Sequence, residues 1–375
     1  MSLKIALVHD WLVTWGGAEN VLVDLLALYP DADVLTLVDF MPAPLRARLG
    51  AARVRPSRLQ RWPFANPHFR RYLPMFASAM RALDASRYDV IIANSHSVAK
   101  FVRARPDQLF ICYCHTPMRY AWDLRETYLR QTGLAYGVRG RVVRRVLDRL
   151  QRQDLASNAG ITRFVANSAN VARRIARLYG RDADVIHPPV DTERFVPGPG
   201  VGDHYVTVSR LVPYKRVDVL VDAFARMPAR RLVVAGAGPE LAALRRRATP
   251  NVEVRGHVGD TELVPLVQSA RAFLFAADED FGIAPLEAQA CGEPVIALDR
   301  GGVQETVGGG VPLTGELFDA ATPEAVVAAV ERFESRAAAS RDACRTNAER
   351  FSRPRFRAAF ATYVDDAWTS FRHRT

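Results

Sequence analysis

Apolar runs of four to six residues recur along the chain, each broken by turn residues and followed by a stretch of helical spacing. Lys4–Val8, Asp33–Leu37, Tyr88–Ala93, Leu109–Cys114 and Arg163–Asn167 predict five strands in the first half. Each run is apolar nearly throughout and does not alternate, as expected of strands covered on both sheet faces. Lys4–Val8 leads through a Gly16–Gly17 turn into a predicted helix, Ala18–Leu28. A Pro/Gly stretch, Pro197–Gly202, reads as a linker. The alternation then restarts with Tyr205–Val208, Leu232–Ala235, Val252–Arg255, Ala272–Phe275 and Val295–Ala297. Two successive βα series predict an α/β protein of two doubly wound, Rossmann-like domains, residues 1–195 and 203–350. Residues 355–375 carry Phe356, Ala359, Phe360, Tyr363, Trp368 and Phe371 and predict a C-terminal helix that packs against something apolar.

Length and composition agree with this reading. A chain of 375 residues suits two domains, and 49% hydrophobic with 24% charged residues excludes a disordered or fibrous protein. No stretch reaches the roughly 18–20 uncharged apolar residues of a membrane span. The first apolar run meets His9–Asp10 at once, which argues against a cleaved signal peptide. Cys112, Cys114, Cys291 and Cys344 show no paired spacing, and they read as reduced thiols of a cytoplasmic protein.

The charge is unevenly distributed. Residues 1–200 carry +12 and residues 201–375 carry −1, against a total of +11. Such an excess suits nucleic acid, an anionic membrane surface or a phosphorylated ligand. It would also arise if arginine were simply the cation used at solvated positions. The cations have neither the aromatic ladder nor the recognition helix of a nucleic-acid module, so no nucleic-acid partner is expected. Arg46–Arg87 holds ten arginines among Leu59, Trp62, Phe64, Phe69, Tyr72, Leu73, Met75 and Phe76, and Arg139–Arg152 adds six around Val142, Val143, Val146, Leu147 and Leu150. This interleaving suits a surface lying on anionic lipid.

Several segments could carry chemistry. Gly16–Gly17 follows a strand and opens a helix, where backbone N–H groups can approach a phosphate; a tight βα turn would use glycine as well. Gly236-Ala-Gly238 lacks the third glycine of a dinucleotide fingerprint and reads as a turn. Ser209-Arg210 and Lys215 place two cations five residues apart on one strand-to-helix loop, able to clamp a diphosphate. Asp278-Glu-Asp280 matches a metal-binding DxD pattern, but so do Asp31-Ala-Asp33 and Asp182-Ala-Asp184. Glu279 and Glu287 stand with seven residues between them and Phe281-Gly-Ile inside. The first is expected on a loop beneath a ligand and the second in the first turn of the next helix, both as acceptors for sugar and ribose hydroxyls.

This ordered set resembles the retaining glycosyltransferases of family 4, which implies the GT-B fold of two domains facing across a cleft, with the C-terminal helix crossing back to the N-terminal domain. The resemblance rests on the E-x7-E element together with Tyr113-Cys-His-Thr-Pro117, Val165-Ala-Asn-Ser168, Val185-Ile-His-Pro-Pro-Val-Asp191, Gly256-His-Val258 and Gly301-Gly-Val-Gln-Glu305. Val8-His-Asp-Trp11, His115–Tyr120, Trp122-Asp123 and the stretch from Asn167-Ser168 to Tyr179-Gly-Arg181 resemble the mannosyltransferase branch of O-antigen and exopolysaccharide assembly. The resemblance implies that Arg210 and Lys215, with Ser209 beside them, meet the donor diphosphate. Glu279 would then meet the sugar, Glu287 the ribose, and Gly256, His257 and Val258 the base. It also implies that the backbone at Phe281, Gly282, Ile283 and Ala284 binds sugar and phosphate oxygens. Gly16 and Gly17 would approach the diphosphate, His115 the sugar near the reacting carbon, and Arg119 and Asp123 the acceptor. No metal or cofactor is implied. The expected partners are a nucleotide sugar, GDP-mannose by the branch resemblance, a lipid-linked glycan acceptor, and the inner face of the cytoplasmic membrane. No residue visibly distinguishes guanine from uracil or thymine, so UDP- and dTDP-sugars stay open.

Overall fold

The computed structural model describes residues 3–123, 125–131, 136–198, 202–307, 314–336 and 340–373. The chain divides into two compact units, Met1–Pro188 with Phe356–Thr375, and Pro189–Arg355. Residues 199–201 of the Pro/Gly stretch lie outside the described residues.

The first unit is built on seven parallel strands: β1 Ile5–His9, β2 Asp33–Thr36, β3 Val54–Pro56, β4 Val90–Ser95, β5 Leu109–Cys114, β6 Arg163–Ala166 and β7 Asp184–Val185. Their order is β3-β2-β1-β4-β5-β6-β7, so the winding reverses between β1 and β4. β1, β4 and β5 are buried along their whole length. Alternate residues feed opposite faces: Ile91 and Ala93 join Phe69, Phe76, Phe110 and Phe164 on one, while Val90 and Ile92 join Leu22, Leu25, Phe356 and Phe360 on the other. The aromatic residues of the C-terminal helix Arg353–Arg372 are thus core of the first unit, with Phe356 and Phe360 edge-on to Tyr113 at ring separations of 6.0 and 5.9 Å. Strands β3 and β7 were not legible in the sequence pattern. They are short, mostly exposed edge strands, and such strands need no apolar run.

The second unit has six parallel strands: β8 His204–Val208, β9 Arg231–Ala235, β10 Val252–Gly256, β11 Ala270–Phe275, β12 Val295–Leu298 and β13 Gly315–Phe318, in the order β10-β9-β8-β11-β12-β13. Here the reversal falls between β8 and β11. In both sheets ligands are expected beyond the carboxyl ends of the strands flanking that reversal.

Folding separates the interleaved arginine and apolar residues into two populations. Leu59, Phe69, Phe76, Leu147 and Leu150 are buried core, so they form no part of a surface. Trp62, Phe64, Met75 and Val142 are exposed, Phe64 by 77%. Buried Lys100 pairs with buried Asp154, whose Oδ2 accepts from Trp122 Nε1 at 2.8 Å and from the Tyr179 hydroxyl at 2.7 Å. Trp122 and Tyr179 therefore satisfy a buried ion pair inside the first unit, where an incomplete network would be costly. Among the described residues no helix is long and apolar enough to cross a membrane.

Candidate functional site

In the second unit the strand ends gather most of the expected donor-side residues. The chain leaves β8 through Ser209 and Arg210, and a short 3-10 turn, Pro213–Lys215, carries the second cation. Gly236 and Gly238 let the neighbouring β9 loop press against this segment. A Cβ on Gly236 would stand 1.8 Å from the Ser209 carbonyl oxygen, and one on Gly238 2.2 Å from that of Leu211. Those glycines are therefore packing residues of the cationic loop. Arg210 is exposed and donates to the Tyr214 hydroxyl at 2.7 Å, and Ser209 Oγ is buried without a hydrogen-bond partner among the described residues.

Lys215 forms an ion pair with Glu279, and its ammonium also lies 5.6 Å from the Phe275 ring. The acidic loop is held from behind by Gly301 and Gly302. The Gly302 N–H donates to the Glu279 carbonyl at 2.8 Å, and a Cβ on Gly301 would stand 2.2 Å from that oxygen. Phe281 points inward, packed on Val190, Leu286 and Phe351. Its side chain anchors the loop, leaving only its backbone for a ligand.

The helix Ile283–Ala290 begins on Gly282 at φ 88° with no side-chain cap. Its first N–H groups are left for another acceptor, at the positive end of the helix. Glu287 is the fifth residue of this helix, one turn later than the sequence reading placed it, because the helix starts only after Gly282. Its carboxyl is half-buried and receives no hydrogen bond from a described residue. Burial pushes it up to about 7, against the opposing pull of Arg194. Such a group suits a hydroxyl-rich ligand that completes its hydrogen bonds. Gly256 ends β10 at φ 89°, followed by exposed His257 and half-buried Val258. Among the described residues no group of three or more His, Cys, Asp or Glu could hold a metal ion.

In the first unit Gly16 precedes the helix Gly17–Leu28 as an uncapped N-cap. His115 follows β5, and its Nε2 lies 2.5 Å from Asn94 Oδ1 at the end of β4. Burial pushes the His115 ring down to about 3, helped by His96 and His9 nearby, so it is neutral across the ordinary range. His9 ends β1 and contacts Glu19 in the first turn of Gly17–Leu28 at 3.2 Å. Asp10 accepts from the backbone N–H groups of Val98 and Ala99, each at 2.5 Å, and pairs with His96 at 2.6 Å. Burial alone would raise Asp10, but the His96 ring and backbone N–H, with His9 nearby, hold it below the usual carboxylate range. Sequence reasoning missed His9, Asp10, Glu19, Asn94 and His96 as one cluster. Only His9 and Asp10 sit in a noticed motif; sheet order brings the others to them.

The expected acceptor residues are differently engaged. Asp123 pairs with Arg174 and Arg177, each at 2.9 Å, so its carboxylate is already neutralised within its own unit. Arg119 lies in the same turn region after β5, half-buried.

Comparison with known proteins assigns both units. The Glycosyltransferase Family 4 model matches residues 15–194, and the model of Glycosyl transferases group 1 matches residues 192–351. The chain belongs to the GT-B glycosyltransferases of family 4. The family 4 chain is 36% identical over 208 residues to the GDP-mannose-dependent alpha-(1-6)-phosphatidylinositol monomannoside mannosyltransferase of Mycolicibacterium smegmatis, covering 47% of this chain and 53% of that protein. It is 35% identical over 184 residues to the D-inositol 3-phosphate glycosyltransferase of Mycobacterium bovis, covering 41% of this chain and 37% of that protein. The matched region thus spans about half or less of these curated relatives' length. Anabaena Alr3699/HepE, solved with UDP and glucose, aligns with 97% of this chain and 100% of its own at a TM-score of 0.71 and 22% identity, a likeness of fold.

Proposed function

We propose that this protein is a retaining glycosyltransferase that moves a sugar, most simply mannose from GDP-mannose, to a lipid-linked oligosaccharide in polysaccharide assembly. The observation that carries the reading is the second unit's strand edge. Two cations, an ion-paired Glu279, an uncapped helix start and a Glu287 raised by burial stand there on one sheet edge. Arg210 and Lys215 neutralise the diphosphate and the charge that grows as it leaves, in place of a divalent ion. Glu279 receives sugar hydroxyls, Glu287 the ribose hydroxyls, and Gly256–Val258 flank the base. His115 meets the sugar with a neutral ring.

The reaction forms a bond from the acceptor oxygen to the anomeric carbon and breaks the bond from that carbon to the diphosphate, on the same face of the sugar. The acceptor proton passes to the departing phosphate, leaving the nucleoside diphosphate and the extended glycan. No carboxylate nucleophile is required, so Glu279 and Glu287 are not a glycosidase pair. The relative that uses GDP-mannose supports the mannose donor. The likeness to a structure solved with UDP-glucose favours a second reading, the same transfer from a UDP-sugar. The exposed Trp62, Phe64 and Met75 among the arginines of the first unit support a peripheral position on anionic lipid at the inner membrane face.

The deciding experiment is thermal-shift titration with GDP, UDP and dTDP, followed by turnover with the matching sugars. Ligand at 100 times its Kd adds about 2.7 kcal/mol of stability. Stabilisation by GDP alone supports the mannose donor. Stabilisation by none, with hydrolysis of an oligosaccharide, overturns the transferase reading.

A further inference from the structure

The carboxyl edge of the first sheet carries a chain of four side chains. Glu19 Oε1 lies 3.2 Å from His9 Nε2, His9 Nδ1 lies 3.1 Å from Asn94 Nδ2, and Asn94 Oδ1 lies 2.5 Å from His115 Nε2. Asn94 is fully buried, and its Nδ2 also lies 2.8 Å from the backbone oxygen of Ala18. A backbone carbonyl can only accept, so this last contact decides which end of the Asn94 amide is nitrogen. The two Asn94 N–H groups are then spent on Ala18 and on His9 Nδ1. Its oxygen faces His115 and must receive a proton from Nε2. His115 is left with its proton on Nε2 and a lone pair on Nδ1. By the same logic His9 accepts at Nδ1 and donates from Nε2 to Glu19.

We infer that Asn94 is a positioning residue: backed by His9 and Glu19, it holds His115 in the Nε2–H tautomer, so that Nδ1 is an acceptor reserved for a hydroxyl of the transferred sugar. This rests on the reading in which His115 meets that sugar. The ring's own chemistry allows either tautomer, and the partner of one nitrogen decides what the other can do. The relay also runs through Ala18, the second residue of the helix that Gly16 opens, so one amide locates both the glycine turn and His115. A donor whose hydroxyl is absent at this position leaves the Nδ1 lone pair unsatisfied, which makes the relay a specificity element.

Long-range ¹H–¹⁵N spectra of the imidazole rings in the full-length ¹⁵N-labelled protein test this directly. His115 in the wild type should show a protonated-type Nε2 and a lone-pair-type Nδ1, and a His115 proton on Nδ1 overturns the inference. In Asn94→Ala the two tautomers should mix, with kcat down about tenfold to a hundredfold. The donor KM should move by less than about threefold, since the loss lies in orienting the sugar. A mixed tautomer with unchanged kcat and KM overturns the positioning role. The wild-type spectrum needs no variant to fold and no turnover. A protein that shows the expected tautomer but uses no nucleotide sugar therefore sinks the transferase reading, separately from the tautomer assignment.

Discussion

Lys215 and Glu279 lie 64 residues apart in sequence and form one ion pair at the edge of the second sheet. Each satisfies the other's charge. Either one left alone would be a partly buried charge without a partner, which is costly. On the proposed reading a diphosphate takes Lys215 and a sugar hydroxyl takes Glu279, so the two groups have separate tasks.

That division of labour sets the first expectation. Lys215→Ala should lower kcat by about 10²–10³, the scale of one preorganised electrostatic donor. Glu279→Ala should lose most turnover while nucleoside diphosphate binding, read by calorimetry, stays close to wild type. Equal loss of diphosphate binding in both variants would contradict the separation.

Glu287 gives a pH dependence with a definite sign. Burial raises its pKa from the ordinary 4.5 to about 7, so the folded protein holds a proton there that the unfolded chain releases. Its contribution to stability is full below pH 4.5 and is lost as pH rises through about 7. On the proposed reading the ribose hydroxyls donate to Glu287, and the ionised carboxylate is the stronger acceptor, so nucleotide affinity should weaken as pH falls from 8 to 6. Glu287→Gln should bind nucleotide weakly at every pH and flatten both curves. A wild-type slope that survives in the Gln variant would assign the titration to the phosphate.

Gly301 tests the frame behind Glu279. Its φ of 71° and the 2.2 Å approach to the Glu279 carbonyl admit no Cβ without moving the acidic loop. Gly301→Ala should lose on the order of 2–4 kcal/mol of stability and most turnover. Gly160→Ala, where a Cβ meets nothing within 4 Å, is the control and should leave both unchanged. Wild-type kinetics in Gly301→Ala would show that the loop position does not matter.

Chelation addresses charge neutralisation. With Arg210 and Lys215 carrying that role, EDTA should leave turnover largely intact. Loss of activity restored by Mn²⁺ would return Asp278 and Asp280 to consideration as ligands.

For the lipid surface the structure narrows the residues to test. Arg144 already pairs with Glu126 at 2.6 Å, whereas Arg58, Arg61 and Arg71 have no acidic partner among the described residues. Each cation near anionic lipid contributes about 1 kcal/mol. Sedimentation with anionic liposomes at low salt, and release at high salt, should be abolished by reversing Arg58, Arg61 and Arg71 together. Reversing Arg144 should have a smaller effect. Wild type that ignores such liposomes would end this part of the reading without touching the transferase.

Much of the fold was written in local pattern. Central strands such as Val90–Ser95 are buried on both faces, so nearly every residue is apolar and the run announces itself. β3, β7 and β13 escaped because an edge strand is half-exposed and carries Arg, Pro, Asp, Gly or Glu as readily as valine. The same limit misread Leu59, Phe69 and Phe76, since a core residue on an irregular segment looks like an exposed one until the chain is packed.

The sequence by itself determined the two βα series, the E-x7-E spacing, the cation pair Arg210 and Lys215, and the family, because these depend on residues near one another in the chain. Only the tertiary structure decided that Lys215 meets Glu279, that Gly301 braces Glu279, that Asp123 is neutralised by Arg174 and Arg177, and that Asn94 ties His115 to His9 and Glu19. The reason is geometric. A parallel sheet places strand ends side by side in an order that crossovers set, and β1 and β4 become neighbours although Ile5 and its partner Val90 stand far apart in the chain. Hydrogen-bond partners, and through them the tautomer of a histidine, exist only after that order is established.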